Sequence, residues 1–464
     1  MKISKETYIR RRNQLKRDMG SGLLLFLGND EVGMNYADNT YRFRQDSTFL
    51  YFFGLDYPAL AAVIDIDEDQ EVVFGNELTI DDIVWTGIQP SLKEKAAVVG
   101  IEKTLPMGML KNCIDQARAK GQTIHFLPPY RGDHRVWLWE LLGVEPAAQA
   151  EKVSVAFIKA IVKQRNYKDA EEIAAIEESV DISTEMHLAA YRKVRPGIHE
   201  SEVAAAVEEV ACRHGNALAF PTIATVQGQV LHNHGFIHGL KEGDIFLLDA
   251  GAETQTHYAG DLSSSMPVGD RFTTQQAEVY NIHLRSFYAA VDKLKVGTPF
   301  REAHIAAATE IARGMKELGL MKGDPAEAAE IGAYALFFPC GLGHMVGLDV
   351  HNMENLGEQY VGYADGQRKS TQFGFKSLRL ARPLEPGFVF TVEPGIYFSR
   401  ELMDKWQAEL QFEDFICYDR LGPWRHFTGL RNELNYVMTE SDARLLGTVK
   451  KPMTIEEVYE AKNK

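Results

Sequence analysis

Two aspartates stand where lone carboxylates are costly. The stretch 244–265 (DIFLLDAGAETQTHYAGDLSSS) reads as two strands joined by a short polar turn. Residues 245–248 form an unbroken apolar run, expected of a strand covered on both faces, and the run ends in Asp249. The return strand, around His257 to Leu262, carries Asp261. Carboxylates on adjacent buried strands repel one another and resist ionisation unless a cation lies between them. Taken alone, the pair fits equally well as two turn caps at a sheet edge.

Three later segments bear on that choice. CGLGHMVGLDVH (340–351) places His344 and His351 seven residues apart, and its glycines Gly341, Gly343 and Gly347 permit close backbone approach. A single histidine there is more often a core residue using both ring nitrogens. FVFTVEPGIYF (388–398) is an apolar strand interrupted by Glu393, a charge that needs a partner when buried. GLRNELNYVMT (429–439) carries Arg431 and Glu433, which strand alternation puts on one face, so that they could simply pair with each other. QFEDF (411–415) offers Glu413 as an alternative glutamate, but no arginine stands two residues before it.

Asp249, Asp261, Glu393, Glu433 and His344 make an oxygen-rich donor set with one nitrogen. Four carboxylates exceed what one zinc site uses. Hard oxygen donors with one imidazole suit a pair of Mn²⁺, Co²⁺ or Zn²⁺ ions, which together clamp and deprotonate a shared water for hydrolysis.

The elements that must position these residues fall into two domains, the natural prior for 464 residues. Residues 1–156 read as an α/β domain. It has a basic amphipathic helix over 8–19, a buried strand at 22–28, a hairpin over 61–74 and a further strand at 123–129. Between them, YRFRQDSTFLYFFGLDYP (41–58) is aromatic yet holds Arg42, Arg44 and Asp46, which fits a half-exposed core edge or the wall of a site. From about Lys163 a long helix runs to a Pro196–Gly197 turn, with Ile173, Ile176, Val180, Leu188 and Tyr191 near one face, and a second helix spans 200–214. KVRPG (193–197) with Glu202 is echoed a hundred residues later by KLKVG (293–297) with Glu302, which suggests a duplicated unit. The second domain, 157–464, is therefore expected to be α+β with internal pseudo-symmetry.

Composition narrows the function classes. Hydrophobic content of 45% and charged content of 25% are those of a globular protein with ample core. A net charge of −15 argues against a nucleic-acid partner. Cys113, Cys212, Cys340 and Cys417 are scattered and form no CxxC pair, consistent with a reducing compartment. No apolar core follows the basic N-terminal residues, and 23–27 is too short to span a membrane, so a cytoplasmic chain with no membrane partner is expected.

LLDAGAE (247–253), YAGD (258–261), GLGHMVGLDVH (341–351), TVEPGIYF (391–398) and G-x-R-x-E (429–433) occur in the order found in the creatinase/prolidase ("pita-bread") metallopeptidases, and the chain resembles their aminopeptidase P and prolidase branch. YRFRQDSTFLYFFG and the later Trp85-Thr86-Gly87 resemble the N-terminal domain of that branch. The resemblance implies a curved antiparallel sheet and hydrolysis of the bond between an N-terminal residue and proline. It implies that Asp249 holds one metal, His344 and Glu393 the other, and that Asp261 and Glu433 are shared. Glu393 would also be the general base. His232, in VLHNH (230–234), would line the substrate pocket, and His351 would stabilise the oxyanion. Arg431 would stand beside the bridging glutamate, and Arg379 would bind the carboxylate end of a dipeptide. The implied cofactor is two divalent ions, manganese first. The implied substrates are short proline-containing peptides, and the implied assembly is a homodimer or homotetramer in which Trp85 reaches another subunit.

The chain also departs from that pattern. The spacing from Asp249 to Asp261 is twelve, one longer than usual; Ser263, Ser264 and Ser265 replace a run with threonine and arginine; Cys340 stands where a pocket histidine is common; and Leu434 and Asn435 follow the last glutamate. The alternatives are a metal-free hydrolase of the creatinase kind and a non-enzymatic binding module, both of which predict an eroded ligand set.

Overall fold

The structure is a computed structural model, and it describes residues 2–464. The chain forms two compact units, residues 2–165 with 353–360, and residues 166–352 with 361–464. The sequence reading put the boundary at 156/157.

The first unit is built on a mixed five-stranded sheet: β1 (Leu23–Leu27), β2 (Ala61–Asp65), β3 (Gln70–Phe74), β4 (Lys103–Leu105) and β5 (Ile124–His125), in the order β4-β3-β2-β1-β5. The expected strand over 123–129 is only two residues long. One sheet face packs Leu23, Leu25, Val63, Val72 and Phe74 against Leu110, Ile114, Leu138 and Leu142 of two helices. On the other face Phe26 meets Phe52, Phe53 and Phe157 at ring separations of 5.5, 5.0 and 5.2 Å. Phe157 lies on the helix Val155–Arg165, so this helix completes the first unit. The aromatic stretch over 41–58 holds a helix, Ser47–Phe53, capped by Asp46 and buried throughout.

The second unit carries two antiparallel three-stranded sheets and two short pairs. The strands are β6 (Ala217–Leu218), β7 (Ile223–Thr225), β8 (Ile245–Ala250), β9 (Ala252–Glu253), β10 (Leu262–Pro267), β11 (Val389–Val392), β12 (Gly395–Tyr397), β13 (Gly429–Arg431), β14 (Leu434–Met438) and β15 (Ala443–Leu445). The sheets run β10-β8-β7 and β11-β14-β15.

The duplication is visible atom by atom. The helices Ala170–Lys193 and Glu200–Arg213 flank Gly197, and Thr274–Val291 and Phe300–Glu317 flank Gly297. Gly197 N donates to Leu240 O at 2.9 Å, and Gly297 N to Leu384 O at 2.8 Å. Both glycines have positive φ, +86° and +82°, which a residue with a Cβ adopts only under strain. Nine residues past Leu240 stands Asp249, and nine past Leu384 stands Glu393. The repeat therefore brings one carboxylate from each half to matching strand ends.

The buried face of the helix Ala170–Lys193 is more polar than its periodicity predicts. Ile173 and Leu188 are half-buried, whereas Ser179, Ser183 and His187 are buried. They bond the hairpin below: Ser183 Oγ accepts from Ala252 N at 2.9 Å, and His187 spans Ser264 Oγ at 2.7 Å and Ala250 O at 3.0 Å. A carbonyl only accepts, so His187 Nε2 carries the hydrogen.

Candidate metal centre

Asp249, Asp261, Glu393 and Glu433 sit at strand ends or in a break between strands, and His344 in an irregular segment beside β11. Asp249 is the penultimate residue of β8, opposite Ser263 on one side and Ile223 on the other. Asp261 does not lie within a strand running from His257, as the sequence suggested. Residues 254–258 close a tight turn, with His257 at φ +65°, and β10 starts at Leu262. Asp261 is fixed by its main chain instead, because Asn435 Oδ1 accepts from its N–H at 3.1 Å and Asn435 Nδ2 donates to its carbonyl at 2.5 Å. A Cβ on the preceding loop at Gly251 would lie 1.9 Å from Gly260 O, so the approach that places Asp261 beside Asp249 requires glycine.

His344 is carried alongside β11, whose Thr391 N donates to His344 O at 3.0 Å, while Thr391 Oγ1 accepts from His344 N at 3.1 Å. Glu393 follows β11 directly, and Asn432 and Glu433 occupy the break between β13 and β14. The buried serines join the two halves here. Ser263 O accepts from Glu433 N at 3.1 Å, and Ser265 Oγ donates to Arg431 O at 2.9 Å. Small side chains let the strands close up, and their hydroxyls satisfy main-chain groups that burial would otherwise orphan.

The result is one cavity of about 270 Å³, lined by Asp249, Asp261, His344, Glu393 and Glu433 and by His232, His351, Arg379 and Arg431. His344 Nε2 is 3.3 Å from both Asp261 Oδ2 and Glu393 Oε1, and its ring centroid is 4.2 Å from that of His351. Asp261, His344 and Glu433 each offer a ligand atom within 4.8 Å of the others. Arg431 does not pair with Glu433. It donates through Nη2 to Asp249 Oδ2 at 2.5 Å, through Nε to Ser263 Oγ at 2.7 Å and through Nη1 to Tyr397 Oη at 2.8 Å. Ser263 Oγ passes its own hydrogen to Glu433 Oε2 at 2.8 Å.

This crowding perturbs the titration of Asp249, Glu433, His344 and Glu393. Burial lifts Asp249 to about 7, with Asp261 and Glu393 adding and Arg431 opposing. Burial, with Asp261 and Glu393 beside it, raises Glu433 well above the carboxylate range. Burial works against the charged forms of His344 and Glu393 as well. Hydrogen bonds to Asp261 and Glu393 override it at His344, raising it to about 10, and the bond to His344 overrides it at Glu393, lowering it to about 2. Four converging carboxylates balanced by so few positive groups call for added positive charge. Two buried oxygens, Asp249 Oδ1 and Glu433 Oε1, have no hydrogen-bond partner. Orphaned acceptors in a hard-oxygen donor set fit divalent cations.

Glu413 is exposed and lies outside the cavity lining. Residues that spacing did not single out also line the cavity, namely His234, Ser377, Phe220, Ile223 and Leu231. His234 was visible in the sequence as the second histidine of the 230–234 stretch. The thiol of Cys340 is pushed up to about 12 by burial and by Glu393, so it is a neutral wall.

A family model for metallopeptidase family M24 matches residues 174–440, and one for the aminopeptidase P N-terminal domain matches 8–127. The chain belongs to metallopeptidase family M24. It is a metallopeptidase, and the family implies divalent metal ions. Among curated relatives, the human Xaa-Pro dipeptidase is 28% identical over 448 residues, covering 94% of this chain and 87% of that one. A probable Xaa-Pro aminopeptidase of Uncinocarpus reesii is 27% identical, over 95% and 89%. A solved Escherichia coli aminopeptidase P in complex with substrate superposes with a TM-score of 0.82 at 26% identity, covering 100% of this chain and 99% of that one. The α+β pita-bread architecture with an N-terminal domain is thus shared with M24 aminopeptidases P.

Proposed function

We propose that this chain hydrolyses the peptide bond between an N-terminal residue and proline, using two divalent ions held by Asp249, Asp261, His344, Glu393 and Glu433. The observation that carries the reading is the convergence of those five side chains, drawn from both halves of a duplicated fold, on one cavity. When bound, such ions supply Lewis acidity and lower the pKa of water. Manganese is our first assignment, with cobalt and zinc as alternatives.

The chain's own groups would then act as follows. A Glu393 carboxylate oxygen takes the proton of the attacking water and returns it to the leaving proline nitrogen. His351 donates to the oxyanion that forms on the scissile carbonyl. His232 lines the cavity, where burial, with Arg431 and Arg379 adding, lowers its pKa and so favours its neutral form. Arg431 fixes Asp249, and Arg379 offers a planar fork to the carboxylate of a dipeptide. That fork, and the forty-residue spacing from Glu393 to Glu433, resemble those of prolidases, and on them we favour a dipeptidase over an aminopeptidase acting on longer peptides. We place the chain in the cytoplasm as a homodimer or homotetramer, with the 87% exposed Trp85 as an intersubunit contact. Among the described residues no helix is long and apolar enough to cross a membrane.

The test is hydrolysis of Ala-Pro against Ala-Pro-Ala by Mn²⁺-loaded protein. Cleavage of both, with Ala-Pro favoured, is expected. Failure to cleave either overturns the proposal, and a preference for Ala-Pro-Ala favours the aminopeptidase reading.

A further inference from the structure

Glu200, the first residue of the helix Glu200–Arg213, is 0% exposed. Its Oε1 accepts from Thr225 Oγ1 and from Val226 N, each at 2.9 Å. Its Oε2 accepts from His238 N at 2.9 Å. His238 Nδ1 lies 3.1 and 3.0 Å from the two oxygens, and because a carboxylate only accepts, that nitrogen carries the hydrogen. Thr225 Oγ1 in turn accepts from Asn233 Nδ2 at 3.0 Å, and Asn233 stands between His232 and His234.

One carboxylate therefore bonds the start and the end of the segment 226–238 directly, and its middle through Thr225. Among the described residues no helix or strand spans this segment, yet it contributes Leu231, His232 and His234 to the cavity. The duplicated half shows that the fold itself does not require a charge at this position. Phe300 N donates to Arg382 O at 3.0 Å as Glu200 N donates to His238 O at 3.0 Å, so Phe300 is the counterpart of Glu200, and it too is 0% exposed. An apolar ring serves the helix start in one half. In the other half the same position holds a buried carboxylate, which is costly to desolvate and fully supplied with donors.

We propose that Glu200 is a positioning residue for substrate binding, whose carboxylate clasps both ends of the 226–238 loop and so sets His232 and His234 in the cavity. The substrate side of this inference rests on the Xaa-Pro reading above; the clasp itself does not. In Glu200→Gln one acceptor is replaced by an amide nitrogen facing N–H donors, and in Glu200→Ala both acceptors are lost. Hydrogen exchange of metal-free protein should show amides 226–238 exchanging roughly ten- to a hundredfold faster in both variants, with amides 245–250 unchanged. In Mn²⁺-loaded Glu200→Gln the KM for Ala-Pro should rise roughly tenfold while kcat changes less than about threefold, and Mn²⁺ affinity measured by calorimetry should stay that of the wild type. Unchanged exchange over 226–238 in Glu200→Gln overturns the clasp, whether or not Glu200→Ala folds. Faster exchange with an unaltered KM overturns its role in substrate binding. A wild type that cleaves neither Ala-Pro nor Ala-Pro-Ala overturns the Xaa-Pro reading and the positioning role with it, and leaves the clasp to be decided by exchange.

Discussion

Arg431 Nη2 and Asp249 Oδ2 meet at 2.5 Å, and through this contact one guanidinium links the strand end of the first half of the fold to Ser263 and Tyr397 around the cavity. Only a planar fork can make all three bonds at once. Arg431→Lys should therefore keep the charge and lose the geometry. Mn²⁺ affinity measured by calorimetry is expected to fall roughly ten- to a hundredfold, since groups that orient ligands carry effects of that size. An unchanged affinity would show that Asp249 needs no such support.

The crowding of carboxylates predicts how metal-free protein responds to alkali. Burial, reinforced by Asp261 and Glu393, raises Asp249 to about 7, above its ordinary value in an unfolded chain. The folded state then holds a proton that the unfolded chain has released. That stabilising contribution is present below about pH 4 and is lost as pH rises through about 7. Glu433 is shifted the same way. Metal-free Glu433→Gln should lose less thermal stability than metal-free wild type between pH 5.5 and 8, a comparison made by calorimetric melting at about those two values.

His304 predicts the opposite slope in acid. Its ring is 0% exposed between Phe338 and Phe375, at 5.2 Å from each, and burial, with Arg301 adding, lowers its pKa to about 3. Unfolded histidine takes a proton at about 6.5, so stability is lost as pH falls from there toward about 3. One such group contributes a slope of up to about 1.4 kcal/mol per pH unit, and His304→Phe should remove it from urea unfolding measured between about pH 7 and 5. Equal slopes in wild type and variant would contradict the assignment.

Arg379 lines the cavity from a loop rather than from a sheet. If it anchors a substrate carboxylate, Arg379→Ala should reduce kcat/KM for Ala-Pro at least about tenfold more than for Ala-Pro-Ala, the worth of one charge-assisted bond. Equal losses on both peptides would remove the anchor role.

The candidate ligands stood out because a carboxylate at the end of an apolar run is anomalous wherever it occurs: Asp249 closes the run 245–248, and Glu393 follows a strand whose one polar residue is Thr391. The duplication was legible in Gly197 and Gly297, whose positive φ admits little else. What could not be read depends on partners distant in sequence. Ser263 looks like an ordinary strand residue until Arg431 and Glu433, about 170 positions later, come to rest on its hydroxyl. Glu200 reads as a helix-capping acid, and only folding brings Thr225 and His238 onto it. The helix Ser47–Phe53 was hidden by its composition, since a run of buried aromatics carries no helical period.

The central claim is that Asp249, Asp261, His344, Glu393 and Glu433 together hold a pair of divalent ions. Calorimetric titration of metal-free protein with Mn²⁺, checked by elemental analysis, measures this directly. The account predicts two ions per chain in the wild type and at most one in Asp261→Ala or Glu433→Ala, each variant retaining a cooperative melt. Two ions bound with wild-type affinity in either variant, or none bound by the wild type, would contradict it.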